Sequence, residues 1–288
     1  MSLVRRPALR SSLRPALASL ALSALLLAVP ALLALAALPG AEASAGTRTR
    51  TWHYLSHLEG SHKPKRLGFD LFDIHGSPWA VRQLPRGVKG LVYVGEKCPT
   101  PADAAFRRTV RKLAKYRKVF GYFLSDEPHI GDCPGGPAAL ASRADYVRRV
   151  THGRQRSFIV LDDSYRAFRP HRTHVDLVGL DPYPCSVGSG GCKYHKIVEK
   201  YRAARHAGIP RSAIVPVYQA FGQENVSSTY YTLPTPAQER RILQVWAKHV
   251  PHPVMDYAHG WGNQGHSDPT LVDSPPLQRV FADWFARH

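Results

Sequence analysis

Seven short apolar runs, rich in β-branched and aromatic residues, recur along the chain: Leu67–Phe72, Gly90–Val94, Val119–Leu124, Ser157–Leu161, Val175–Leu180, Ala213–Tyr218 and Pro253–Tyr257. Near-continuous apolarity over so few residues suits strands buried on both faces, as in a parallel sheet. Stretches of helical period separate several of them. Thr100-Pro101-Ala102-Asp103 reads as a helix start, with Thr at the N-cap, Pro at the first helical position and an acid in the first turn, ahead of Phe106, Val110 and Leu113. Thr235-Pro236 repeats the device before Ile242, Val245, Trp246 and His249, and Tyr194, Ile197, Val198 and Tyr201 form a stripe that stops at Gly208. A last stripe joins Leu277, Val280, Phe281, Trp284 and Phe285 on one helix face.

Strands alternating with helices predict an α/β protein. An eighth strand candidate, Thr51–Leu55, precedes the seven, but the polar gap from Ser56 to Arg66 is too short for a normal crossover helix. The expected fold is a (β/α)8 TIM barrel whose first unit is degenerate or irregular. An open doubly wound sheet is the rival, and it normally brings a Gly-rich phosphate turn; no GxGxxG or GxxxxGK[ST] occurs here.

Residues 1–45 have the layout of a secretory signal peptide: Arg5, Arg6, Arg10 and Arg14, an apolar Ala/Leu stretch from Ala16 to Leu38, then Pro39-Gly40 and small-residue cleavage sites around Ala43 and Ala45. The rival reading is an uncleaved anchor, since the stretch is long for a signal; Pro30 in its middle favours cleavage. Arg5-Arg6 hints at twin-arginine export. The expected organisation is a leader over 1–45 and one domain over 46–288, secreted and free of the membrane once the leader is cut. Lys and Arg number 39 against 21 Asp and Glu, and loss of the leader leaves a formal charge of +15. Such a charge draws a secreted protein to anionic surfaces or polymers, although solubility explains it equally well. The chain shows no RNA-binding aromatic motif, zinc finger or recognition helix, so no specific nucleic-acid partner is expected. The even cysteine count predicts two disulfides: Cys185 and Cys192 flank the flexible Ser-Val-Gly-Ser-Gly-Gly, which leaves Cys98 to pair with Cys133. Zinc is the competing use, but no CxxC occurs.

Polar residues collect where the apolar runs end: Asp70 and Asp73; Glu96; Ser125-Asp126-Glu127-Pro128-His129; Asp162-Asp163; Asp181-Pro182-Tyr183-Pro184; Tyr218-Gln219; Asp256-Tyr257 with His259, Trp261 and Asn263. A barrel's chemistry sits at the C-terminal ends of its strands. For any one of these acids a helix cap is the simpler role. Collectively, so many acids near one rim are costly to bury unless they have partners or work to do.

Four of these segments resemble the (β/α)8 glycoside hydrolase clan that includes cellulase-like and β-galactosidase-like enzymes. Gly121-Tyr122-Phe123-Leu124-Ser125-Asp126-Glu127-Pro128 is similar to the clan's fourth strand, where an acid/base Glu precedes Pro. Val175–Pro184, Ile214–Gly222 and Pro253–Trp261 resemble the sixth, seventh and eighth, the last of which ends in a Trp that floors the sugar site. The resemblance covers roughly Phe120 to Trp261. It implies glycosidic cleavage, with Glu127 as proton donor and a second carboxylate opposite it. Asp126 would hydrogen-bond a sugar hydroxyl or tune Glu127, and Tyr183 and Trp261 would stack on sugar rings. Asp70, Tyr218, Gln219 and Tyr257 would line the substrate site.

One departure matters. The clan's retaining enzymes carry their nucleophile at the end of the seventh strand, where this chain has Gln219. An amide cannot form the glycosyl-enzyme ester. Another carboxylate would then act, with Asp256, Asp181 and Asp162 as candidates and Glu224 less suited; or an N-acetyl group on the substrate would assist; or hydrolysis is lost and carbohydrate binding kept. His171 with His174 and His249 with His252 have helix-compatible spacing but no known ligand pattern, so neither metal nor other cofactor is expected. No Gly-x-Ser-x-Gly elbow appears. The sequence thus predicts a monomeric, secreted glycoside hydrolase-like barrel acting on a carbohydrate polymer, an anionic one included, with a non-catalytic wall- or glycan-binding barrel as the alternative.

Overall fold

The computed structural model describes residues 50–58, 60–223, 230–262 and 268–288. The expected leader, Glu224 and Asn263 lie outside the described residues.

Eight parallel strands close into a barrel: β1 (Trp52–Leu55), β2 (Leu71–Ile74), β3 (Lys89–Tyr93), β4 (Val119–Asp126), β5 (Arg156–Leu161), β6 (Leu177–Leu180), β7 (Ile214–Gln219) and β8 (Met255–His259). Each pairs with its neighbours in sequence, and β8 returns to β1 with Trp52 opposite Met255. The helices are α1 (Pro78–Gln83), α2 (Ala104–Leu113), α3 (Gly136–Thr151), the short α4 (Tyr165–Phe168) and α5 (Pro170–Thr173), α6 (His195–His206), α7 (Pro236–His249) and α8 (Pro275–Phe285). The fold is the expected (β/α)8 barrel. Its first unit is degenerate, since a single 3-10 turn over Lys63–Leu67 connects β1 to β2. That turn also shifts β2 four residues beyond the start of the apolar run Leu67–Phe72.

Alternation along each strand splits the core in two. Tyr54, Leu71, Leu91, Phe123, Phe158, Val160, Leu177, Val215, Val217, Met255 and Tyr257 fill the barrel. Their neighbours, such as Phe72, Tyr122, Ile159, Val178 and Tyr218, pack outward against the helices. Gly179 has no side chain because a Cβ there would sit 2.9 Å from the Val160 side chain and 3.0 Å from Phe158. Asp103, not Thr100, caps α2, its carboxylate accepting from Phe106 N at 2.7 Å. Thr100 instead joins a network around the buried Arg143, which also donates to Glu96 at 2.5 Å and to Val94 O. Thr235 caps α7 as expected, with Gln238 completing a capping box.

Both disulfides form as predicted. Cys98–Cys133 ties the loop after β3 to the loop after β4, and Cys185–Cys192 closes a two-residue-stranded hairpin after β6. Among the described residues, no helix is long and apolar enough to cross a membrane.

Candidate active site

The C-terminal mouth of the barrel opens on a cavity of about 710 Å³, walled by Tyr54, Asp73, Tyr93, Asp126, Tyr257 and His259 from five strands. Trp79, 65% exposed at the start of α1, and Tyr93, 49% exposed, stand at its edge.

A bulge decides which β4 residue enters the mouth. Phe123 pairs with Phe158, yet Ser125 pairs with the next residue, Ile159, so Leu124 is an extra residue in the strand. Were Leu124 held in the ladder, regular alternation from the inward Phe123 would point Ser125 into the barrel. Instead Leu124 joins the outer core, Ser125 donates to Glu96 O at 2.6 Å, and Asp126 lines the cavity. Solvent reaches Asp126 through the mouth while protein crowds its other sides. That crowding, followed by the charges of Glu127 and Asp162, pushes its carboxyl up to about 7.

Glu127 follows with φ +46, a left-handed conformation uncommon for a residue with a side chain, while its N–H donates to Val160 O at 3.1 Å. This turn brings its half-buried carboxyl to Asp181, at the end of β6, within hydrogen-bonding reach. Asp181 is buried, and one of its oxygens, Oδ1, has no hydrogen-bond partner. Burial and the bond to Glu127 hold the Asp181 carboxyl well above the usual range, against the pull of Lys200, whose Nζ lies 3.7 Å away. Asp162, at the end of β5, is raised by burial and then by Glu127 and Asp163, and lowered by His129. Asp73 is raised by burial, with the amides of His57 and Leu58 turned toward it. Tyr183 (φ +32) packs edge-on against Phe221 and Tyr231 and feels the charges of Asp181, Asp126 and Glu127. Tyr257 hydrogen-bonds with Ser56 Oγ at 3.1 Å and His259 Nδ1 at 2.7 Å. Burial keeps the nearby His57 and His259 neutral, lowering them to about 4 and about 3.

The structure thus gathers Asp126, Glu127, Asp181, Tyr183 and Tyr257 at one mouth and leaves the remaining expected residues elsewhere. Asp256 faces outward from β8, where it receives His53 Nδ1 at 3.0 Å and the Tyr218 hydroxyl at 3.4 Å in the helix-side layer. It is no partner for Glu127, and Tyr218 is equally remote from the mouth. Asp70 precedes β2 at the opposite end of the barrel, paired with Arg50 and accepting from His53 N. Gln219 is fully buried and works as a clamp: its Nε2 donates to Cys185 O and Thr232 O at 2.9 Å each, and its Oε1 accepts from Cys185 N at 2.9 Å. That amide has no capacity left for a sugar. Trp261 is buried in the outer core, with its carbonyl accepting from Thr270, and floors nothing in the mouth. Asp73 and Asp162, both strand-end acids singled out in the sequence, also reach the mouth, and Tyr93 and Trp79 are mouth residues that sequence reasoning passed over.

The His pairs do not converge on a metal: His174 binds Asp145 and His249 stacks on Tyr201. Among the described residues, His129, Asp162 and Asp163 form the one cluster with ligand-type atoms mutually within 4.8 Å. Both ring nitrogens of His129 face carboxylates, at 3.1 Å to Asp163 and 3.7 Å to Asp162, which is the geometry of an ion pair.

No protein-family model and no curated protein matches the chain. Solved structures do superpose on it. A family 18 chitinase from Flavobacterium johnsoniae aligns with TM-score 0.54 at 10% identity, over 82% of this chain and 95% of that one. A chitinase from Bacteroides thetaiotaomicron aligns with TM-score 0.52 at 11% identity, over 80% and 96%. A family 128 endo-β-1,3-glucanase from Amycolatopsis mediterranei, solved with laminarihexaose, aligns with TM-score 0.52 at 11% identity, over 82% and 99%. At such identities the likeness is one of fold, and the chain has the closed (β/α)8 barrel on which these glycoside hydrolases are built.

Proposed function

We propose that this is an exported glycoside hydrolase that cleaves a polysaccharide or glycoconjugate at the C-terminal mouth, with Glu127 delivering the proton. The observation that carries the reading is the Glu127–Asp181 contact beside Asp126 and Asp162, in a barrel whose strand ends otherwise converge on a sugar-sized cavity. Asp181 retains a proton because its buried site disfavours the anion. Glu127 is the member of the pair that solvent reaches, so it hands that proton to the glycosidic oxygen as the C–O bond breaks. Water then adds to the anomeric carbon, and its proton passes to a carboxylate in the cavity wall, Asp126 or Asp73. Tyr93 and Trp79 offer faces for the sugar rings. The two disulfides call for an oxidising compartment and support export.

The test is hydrolysis of a panel of neutral and amino-sugar polysaccharides by wild type and Glu127→Gln. Equal cleavage by both removes Glu127 from the role. Proton NMR of the first product adds the stereochemistry. Inversion supports a wall carboxylate as base, and retention supports assistance by an N-acetyl group, because β7 ends in the locked Gln219 and brings no carboxylate to the mouth. That same locked amide favours one alternative, a glycan-binding barrel without turnover, which wild type would reveal by binding oligosaccharides and releasing no reducing ends.

A further inference from the structure

The chain is strongly basic, at +18, yet its mouth is acidic. Asp73 and Asp126 line the cavity, Glu127 and Asp162 adjoin it closely enough to raise Asp126, and Asp181 lies against Glu127. Among the described residues lining the cavity, none is Lys or Arg. Four described histidines line it: burial holds His57 and His259 neutral, His62 stacks near Phe72, and His75 offsets part of the charge of Asp73. Lys200 approaches from α6, behind Asp181, and His129 faces Asp162 from the outer side, so the groups that answer these carboxyls stand behind them and not in the cavity. Three carboxylate oxygens at the site, Asp73 Oδ1, Asp162 Oδ1 and Asp181 Oδ1, are buried without a hydrogen-bond partner. Buried carboxyl oxygens left without a donor are expensive, and a native site that keeps them is short of hydrogen-bond donors.

We infer that the mouth is built for a cationic amino-sugar polymer, one whose sugars carry free ammonium groups. The inference deepens the glycosidase reading and rests on it for the sugar. An ammonium supplies three donors and one positive charge, which matches a ring of carboxylate acceptors. The sugar's apolar face, with the ammonium at its edge, suits the exposed rings of Trp79 and Tyr93, which attract both. A polyanion, by contrast, would carry its charges into a wall of carboxyl groups. The net charge of the chain cannot be the source of such a preference, because it repels a polycation.

The experiment is calorimetric titration of Glu127→Gln, and of wild type in parallel, with hexamers of glucosamine and galactosamine, their N-acetylated forms, laminarihexaose and a hexuronate. The better free-amine hexamer is expected to bind about tenfold or more tightly than its N-acetylated form, with the advantage shrinking as salt rises. Asp73→Asn should reduce that ratio about threefold. Equal or tighter binding of an N-acetylated, neutral or anionic hexamer overturns the inference. So does a rise in Tm with calcium or manganese that exceeds the rise with the free-amine hexamer, since the carboxylates would then be serving a metal. The two readings fail separately. Turnover of a neutral glycan in preference to the cationic one keeps the glycosidase and removes the charge rule. Tight amine-dependent binding without release of reducing ends keeps the charge rule and removes the glycosidase.

Discussion

The two ends of the barrel are built on opposite principles. At the C-terminal mouth, carboxylates face one another with few cations among them. At the N-terminal end, Arg50, Arg66, His252 and His288 surround a second cavity of about 470 Å³ whose acid, Asp70, is answered by Arg50, while behind it Asp256 is answered by the lining His53, which also stacks on Phe285. Satisfied pairs are what a scaffold needs. Unsatisfied ones persist where a ligand or a reaction supplies the missing partner. Net charge averages over both ends, which is why a basic composition pointed toward anionic polymers while the mouth points the other way.

Substitutions at the two ends should therefore separate activity from stability. The largest effect belongs to the mouth: Glu127→Gln should lower glycan cleavage about 10²–10⁴-fold, the usual worth of a positioned general acid, with Tm almost unchanged. A Glu127→Gln protein that melts far below wild type would make Glu127 a structural residue and blur the contrast. Next come the staples. Replacing Cys98 and Cys133 by Ser frees a loop with a sequence separation of 35 and should cost about 3–4 kcal/mol in urea unfolding, more than the loss of Cys185–Cys192, with its separation of 7. At the opposite end, Asp256→Asn strands a buried histidine and should cost about 3 kcal/mol while leaving cleavage intact. Burial lowers the His53 affinity for protons, but Asp256 and then Asp70 outweigh it and the net shift is upward from 6.5. The pair's contribution is thus complete below pH 6.5 and disappears as the pH rises through the raised value, so the Asp256→Asn deficit should be larger at pH 6 than at pH 9. The smallest effect is a gain. Asp126 ionises near 7 in the folded protein and near 3.8 unfolded, so its charge opposes folding fully above 7 and not at all below 3.8. Asp126→Asn should stabilise by on the order of 1 kcal/mol at pH 8, discounted for the solvent that reaches this carboxyl, and by nothing in strong acid. A thermal melt series across that range checks both the sign and the window.

Much of the architecture was readable from the chain because doubly buried strands advertise themselves as apolar runs and Thr235-Pro236-x-Gln238 spells a helix start. The degenerate first unit was equally plain, since the eleven mostly polar residues of the gap cannot hold a crossover helix. What the chain concealed was parity. In a strand buried on both faces nothing marks which residues point inward, so Asp256, Tyr218 and Trp261 looked like rim residues although they face the helices. Asp70 was misplaced for another reason: a 3-10 turn consumed the start of its apolar run, and the strand begins only after it. Gln219 stood where a nucleophile was sought, but its work, pinning the Cys185 and Thr232 backbone, depends on contacts 34 and 13 residues away in sequence. Trp79 carried no periodic signal, being a lone aromatic after Ser77-Pro78.

The single surplus residue in β4 has an engineering corollary. Excising Leu124 would leave Ser125 opposite Ile159 on the helix side and Asp126 opposite Val160 facing the barrel, whereas drawing Leu124 into the ladder opposite Ile159 would send the aspartate into the greasy helix layer and present a hydroxyl to the substrate instead. Register at that step thus sets whether this barrel opens on an acid or an alcohol, and straightening the strand without shortening it is the change that would neutralise the mouth.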